Sequence, residues 1–294
     1  MLDLSIIVKC GADPRVFDCI ASIDAEAEII VSTTPCPAIE QRLAEMGIAC
    51  CIAPPGNIGL TCNLGIALSS HSKLIIMDSD STFAPGAIQQ LCGALDHSLV
   101  AKSQIVYQAD KNVRGSQMVA KSRDYINRLG TRAFAPGLGL RRELETRIGY
   151  LFHNGVRWAE DAELDYRLQC HHVRILYVPE AVVYHSPLHI LHDLRAAFRL
   201  GYGKRLGVEQ AGRTAEENVL GYLARLLRGE QIRFLIDVAK ARGIVASAYM
   251  FLWSFVYYSG YYAQRISGAW TVSYPDMTIT AMQKERCSGR SARQ

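Results

Sequence analysis

The chain has 294 residues, 49% of them hydrophobic and 20% charged, enough apolar material for one large domain or a domain with an appendage. Its formal net charge of +4 comes without a long basic run or an aromatic-interleaved basic motif. That argues against nucleic acid as a partner and is compatible with weak attraction to acidic lipid or phosphate. Nine cysteines without a C-x-x-C pair, two of them adjacent at Cys50 and Cys51, read as reduced thiols of a cytoplasmic protein rather than a disulfide scaffold. The apolar run Leu4–Val8 is too short for a secretory signal and reads as a first strand.

A helical stretch follows at Val16–Ile23, then a strand at Glu28–Val31, a helix at Ala38–Met46, a strand at Ala49–Ile52, a helix at Leu60–Leu68 and a strand at Leu74–Met77. Pro37 suits the start of the second helix and Gly47 its end. This alternation predicts an α/β fold with a mostly parallel, Rossmann-like central sheet flanked by helices. Near-continuous apolar strands fit burial on both faces. Ligands in such sheets sit beyond the carboxyl ends of the strands. After Tyr107 the pattern loosens. Phe134–Leu140 holds Pro136, Gly137 and Gly139 and reads as an irregular loop; Ala162–Leu168 reads as a helix opened by acids; Val173–Val178 and Ala181–Tyr184 read as two late strands. From Ile190 the pattern is helical. A boundary near Leu188 separates a sheet-bearing domain, 1–188, from a helical region, 189–284. Residues 285–294 are basic and rich in Ser, and read as a disordered tail.

The sharpest chemical feature is Asp78-Ser79-Asp80, directly after the strand Leu74–Met77. Two carboxylates there suit a hard divalent cation that also takes substrate phosphates. The same residues equally describe a solvated turn. Glu160 and Asp161 open a helix, where acids complement the dipole or, alternatively, supply a general base. Trp158 suits the wall of a sugar subsite or an ordinary core position. Asn57-Ile58-Gly59 and Asn63-Leu64-Gly65 fit a turn and a closely packed helix. His185 ends a strand, where an imidazole can complete a metal site begun by carboxylates or be a plain surface group. Nothing around His189 and His192 makes a zinc site.

In order and spacing these features resemble the family 2 glycosyltransferases of the GT-A fold over roughly residues 4 to 205. The resemblance rests on Ser5-Ile6-Ile7-Val8, Asn57-x-Gly59 with Asn63-x-Gly65, and Met77-Asp78-Ser79-Asp80. It continues through Gly137-x-Gly139-x-Arg141, Glu160-Asp161-x-x-Leu164 with Arg167, and Val183-Tyr184-His185. It implies a hexosyltransferase that moves a sugar from a nucleotide-diphospho-sugar to an acceptor hydroxyl by a single inverting displacement. Asp80 would bind the Mn²⁺ or Mg²⁺ that bridges the diphosphate, with Asp78 at the ribose or a metal-bound water and His185 as a further ligand. Asp161 would be the base, with Glu160 beside it positioning the acceptor. Lys9, Thr33, Asn57, Asn63 and Ser79 fall on the donor side, and Gly137, Gly139, Trp158 and Arg199 on the substrate side. Arg195, Arg199, Tyr202 and Lys204 resemble the family's basic helix, and equally a solvated helix face.

Two departures fall in the base pocket. The family's second strand ends in acids, whereas this one ends Val31-Ser32-Thr33-Thr34. The family's first strand runs into Pro-x-Tyr-Asn, and this one into Lys9-Cys10-Gly11-Ala12-Asp13. The Thr33 hydroxyl is then left to read a base edge, and Lys9 adds a phosphate contact. A UDP-sugar is favoured, with GDP or dTDP open. The rivals are a catalytically silent GT-A-like scaffold and a sugar-nucleotide nucleotidyltransferase, whose Gly-rich basic loop Cys10–Arg15 imitates poorly.

Residues 244–264 carry no charge, and Lys240, Arg242 and Arg265 flank them. Five tyrosines favour a helix lying at a membrane interface over an oligomer-interface or core helix, and either over a spanning one. The expected setting is the cytoplasm or the inner face of the cell membrane, with a glycan or lipid-linked acceptor.

Overall fold

A computed structural model describes residues 2–128, 130, 132–210 and 228–267. The tail expected over 285–294 lies outside them. The elements are β1 (Leu4–Cys10), α1 (Val16–Ala21), β2 (Glu28–Thr33), α2 (Pro37–Glu45), β3 (Ala49–Ile52), α3 (Ile58–Leu68), β4 (Lys73–Asp78), β5 (Ser81–Phe83) and α4 (Ala87–Ala94). Then come β6 (Val100–Tyr107), α5 (Ser116–Asn127), β7 (Leu138–Arg141), α6 (Leu144–Ile148), α7 (Glu160–Cys170), β8 (Leu176–His185), α8 (Ile190–Gln210), α9 (Glu230–Arg242) and α10 (Ile244–Ser267).

The sheet order is β3-β2-β1-β4-β7-β6-β8-β5. The β1–β4 strands pair in parallel, as do β6 and β8. The exceptions are β7, antiparallel to β4 and β6, and β5, antiparallel to β8. The sheet is thus mostly parallel, and the carboxyl ends of β1, β2, β4, β6 and β8 share one edge. Alternation along β1 and β4 explains their unbroken apolar sequence. Ile6, Val8, Ile75 and Met77 join a core layer under α1, α2 and α4, whereas Ile7, Leu74 and Ile76 join a second layer under α3, α6 and α7. Each such side chain, fully buried, contributes about 1.5–3 kcal/mol.

Two expectations need correction. The loop expected over Phe134–Leu140 ends early, because Leu138–Arg141 is strand β7. Gly139 lies inside the sheet opposite Ile75 and Ala101, where a Cβ would meet Leu95 Cδ1 at 3.2 Å. The two late strands are one, β8, interrupted by a register shift: Ser103 pairs with Val178 and Gln104 with Val182. Pro179 sits in that bulge, where no amide hydrogen is needed. Strand β6 broke the apolar pattern because Lys102 and Ser103 are buried polar residues.

Helix α8 runs from the sheet to a C-terminal layer made of α9 and α10. A buried polar joint fixes it there. Arg123 of α5 donates to Asp193 Oδ1 of α8, at 3.0 Å from Nε and 2.5 Å from Nη2, and the Tyr249 hydroxyl of α10 donates to Asp193 Oδ2. Asp193 is fully buried, and the Arg123 guanidinium stacks on Trp253. No helix among the described residues is long and apolar enough to cross a membrane. Removing one partner of a buried pair leaves an uncompensated charge. Asp193→Ala should therefore lower unfolding stability by about 3–5 kcal/mol in a urea titration, whereas an exposed pair such as Arg228–Glu230 should be worth under ~1 kcal/mol.

Candidate functional site

The site gathers at the shared carboxyl edge of the sheet. Register places Lys9 at the end of β1 directly opposite Asp78 at the end of β4. Its ammonium lies 3.0 Å from Asp78 Oδ1 and donates at 2.9 Å to Glu160 Oε1, in the first turn of α7. Burial alone would lower the Lys9 pKa, but the charges of Asp78 and Glu160 outweigh it and hold the group well above its ordinary range. Lys9 is therefore a largely buried cation that joins two carboxylates brought together from positions 69 and 151 residues away. Asp78 is correspondingly held by an internal partner.

Asp161 is half-buried beside this cluster. Its Oδ1 accepts from the Ala162 amide at 2.7 Å. Burial first, and then the neighbouring Glu160 charge, push its carboxyl up to about 7, against the opposing pull of Lys9. The residue before the two acids, Ala159, adopts φ 62°, a left-handed conformation costly for any residue with a Cβ. That kink lets α7 begin with Glu160 turned under the sheet edge towards Lys9.

Ser79 is buried, its amide bonded to the Lys9 carbonyl, and the chain then turns so that Asp80 leads into β5 at the sheet's far edge. There Asp80 Oδ2 lies 3.6 Å from His185 Nε2 at the end of β8. His185 stacks on Tyr107, and its Nδ1 lies 2.9 Å from the Ser186 carbonyl. A carbonyl only accepts, so the neutral imidazole must carry its hydrogen on Nδ1 and direct a lone pair from Nε2 towards Asp80. A carboxylate and an imidazole lone pair facing each other are a donor set for a divalent cation, and a hydrogen bond from the far ring nitrogen that fixes the tautomer is typical of such ligands. Among the described residues, no group of three or more His, Cys, Asp or Glu side chains stands ready to hold an ion alone. Asp80 and His185 thus fit a metal that takes its remaining ligands from phosphate oxygens and water.

Two residues not singled out from the sequence also belong here. The Arg15 guanidinium, paired with Asp13, reaches within 3.8 Å of Asp80 Oδ2. Lys102 on β6 is fully buried, donates to the Pro136 carbonyl at 2.6 Å, and burial pushes its pKa down to about 7 despite the charges of Asp78 and Asp161. Its only signal in the sequence was a lysine inside an apolar strand.

The remaining expected residues are placed as follows. Asn57 caps α3 by accepting from the Leu60 amide and donates to the Asn154 carbonyl at 2.7 Å; Asn63 donates to the Phe152 carbonyl and to Asn154 Oδ1. Both asparagines tie α3 to the 152–154 loop that leads to Glu160. Gly59 permits that approach, since a Cβ there would lie 2.4 Å from the His153 carbonyl oxygen. Arg167, buried, braces the same loop by donating to Glu163 and to the carbonyls of Tyr150 and Leu151. Thr33 is fully buried at the end of β2, its hydroxyl donating to the Thr34 carbonyl. Gly137, at φ 70°, packs on Ser103 next to the Pro136 carbonyl that receives Lys102. Trp158 meets the edge of the Tyr202 ring, and the exposed Arg199 lies 5.9 Å from its ring centroid. The described cysteines are all free.

Comparison with solved structures gives two likenesses at this point. One is the mannosyltransferase PcManGT from Pyrobaculum calidifontis in complex with GDP-Man and Mn²⁺, at TM-score 0.54 and 13% identity, covering 99% of this chain and 81% of that one. The fold is that of the GT-A glycosyltransferases. The other is S. aureus TarS 1-349 in complex with UDP-GlcNAc, at TM-score 0.50 and 13% identity, covering 91% of both chains. No family model and no curated protein matches the sequence.

The raised Asp161 carboxyl carries a sign that can be measured. An unfolded aspartate releases its proton near pH 4, whereas the folded one keeps it to about 7. Between those values the folded state binds more protons, so its stability falls as pH rises. In metal-free protein, Asp161→Asn should raise stability over the wild type by ~1–2 kcal/mol at pH 8 and by much less near pH 4.5. Equal offsets at the two pH values in urea unfolding would refute the upward shift.

Proposed function

We propose that this protein is a metal-dependent inverting glycosyltransferase, of family 2 type, acting on a nucleotide-diphospho-sugar and an acceptor hydroxyl. The observation that carries the reading is the base-like Asp161, pushed to about 7 beside Glu160, at the same sheet edge as the Asp80–His185 donor pair on a GT-A fold. A carboxyl with that pKa takes a proton readily near neutrality. In the proposed step Asp161 accepts the acceptor hydroxyl's proton. The acceptor oxygen attacks the anomeric carbon from the face opposite the diphosphate, and the carbon–oxygen bond to the β-phosphate breaks with inversion. Mn²⁺ or Mg²⁺, bound by Asp80 and His185, would offset the charge that develops on the leaving nucleoside diphosphate. Asp78 would face the ribose, while Ser79, Thr33, Asn57 and Asn63 shape the donor side. Lys9 has its charge committed to Asp78 and Glu160, so its donor contact in this reading is indirect. Gly137, Trp158 and Arg199 would frame the sugar and the acceptor, with Gly139 behind them inside the sheet.

The domain 1–188 would carry the chemistry and 189–284 the acceptor side. The acceptor would be a glycan or a lipid-linked sugar of cell-surface synthesis, met at the inner face of the cell membrane through 244–264. The solved likenesses hold UDP-GlcNAc and GDP-Man, which leaves UDP favoured and GDP open as the nucleotide here.

Calorimetric titration with UDP, GDP, dTDP and CDP, with and without Mn²⁺, tests the reading. One nucleotide should bind tightly only with metal, and Asp80→Ala should abolish that metal dependence. If the folded protein bound none of them, the silent scaffold would replace the enzyme. For the chemical step, Asp161→Asn should keep donor affinity within about threefold and cut transfer by ~10²–10⁴-fold. Transfer persisting within a few-fold would remove Asp161 from the role of base.

A further inference from the structure

Helix α10 is amphipathic in an unusual way. Its inner face is buried: Ala246, Tyr249, Met250, Gly260 and Tyr261 pack against α5, α8 and α9. Its outer face is not polar, as solvent exposure would require. Ile244 is 81% exposed, Phe255 65% and Phe251 60%, with Val245 and Leu252 beside them. Positions 244, 248, 251, 252 and 255 fall on one stripe at helical spacing, and the exposed Ala248 completes it. No charged residue interrupts 244–264. Large contiguous apolar patches on a folded domain mark contact with a partner or a membrane.

The surroundings of the stripe select between those occupants. Helix α9 ends at Arg242, one glycine before Ile244, and both Lys240 and Arg242 are exposed. Two exposed cations thus stand at the head of an apolar, aromatic-rich stripe. Of the five tyrosines of α10, Tyr249 and Tyr261 belong to the buried inner face, which leaves the half-buried Tyr257, Tyr258 and Tyr262, whose amphipathic rings suit the headgroup level of a bilayer. The apolar length is too weakly hydrophobic to span. We propose that the outer face of α10, headed by Lys240 and Arg242, lies in the surface of an anionic bilayer, with Phe251 and Phe255 inserted below the headgroups.

This face is packed closely against the helix that reaches the functional site. Helices α8 and α10 cross at backbone distance: a Cβ on Gly201 would lie 1.9 Å from the Tyr257 carbonyl oxygen, and one on Gly260 would lie 2.0 Å from that of Phe198. Two residues on, Gly203 contacts the Trp158 backbone in the same way. On the transferase reading, on which this clause alone rests, docking would hold the Trp158 side of the cleft at a fixed height over a lipid-borne acceptor.

The test is sedimentation of the full chain with vesicles of phosphatidylcholine alone and of phosphatidylcholine with phosphatidylglycerol, for the wild type and Phe251→Glu/Phe255→Glu. The wild type should bind the anionic vesicles, weaken with added salt, and lose at least ~10-fold in partitioning in the double variant. No binding of wild type to anionic vesicles overturns the proposal. So does undiminished binding of the variant, which would assign contact to other basic residues. So does a fall in oligomer mass in the variant without vesicles, which would make a second copy the occupant. Nucleotide titration of the same samples is read independently: its failure would sink the transferase reading and leave the docking face standing.

Discussion

One largely buried cation organises the site. Three carboxylates, Asp78, Glu160 and Asp161, converge at the edge of the sheet, and like charges so placed repel and are costly to desolvate. The Lys9 ammonium bonds to two of them and leaves the third to respond to burial. This division lets one carboxyl remain near neutrality in its affinity for protons while its neighbour serves structure. The arrangement depends on register, because only a lysine at the last inward position of β1 stands opposite Asp78. It depends equally on the Ala159 kink, which turns the first residue of α7 beneath that strand end.

The early fold was legible because β1, β2, β3 and β4 are apolar runs separated by amphipathic helices with ordinary ends. The middle of the chain was less so. Lys102 and Ser103 interrupt the hydrophobic pattern of β6, yet both are buried, since the Pro136 carbonyl supplies their polar partner. Gly139 looked like a loop residue and is a strand residue, because a glycine in a sheet interior and one in a turn look alike in sequence. Pro179 and Glu180 suggested a break between strands where the chain only bulges.

The site was legible by type rather than by partnership. Asp80 and His185 are 105 positions apart, and only the pairing of β5 with β8, in which Ser81 stands opposite His185, brings their side chains to 3.6 Å. Lys9 read as a phosphate contact because its position at a strand end was visible and its two internal partners were not. Arg15 read only as the basic end of a poor Gly-rich loop, since its closeness to Asp80 arises from the turn after β1.

The glycines at 201, 203 and 260 bear on motion. Helices that touch backbone to backbone have no side-chain cushion over which to slide, so α8 and α10 must travel as one body. If α8 closes over a bound donor, it cannot do so as a free flap. The flexing has to occur where α8 leaves the sheet, in the short Ser186–His189 segment, or else the sheet itself must rock against the helical layer. A proline at the midpoint of that segment, Pro187, limits its freedom and narrows the arc through which such a lever can swing.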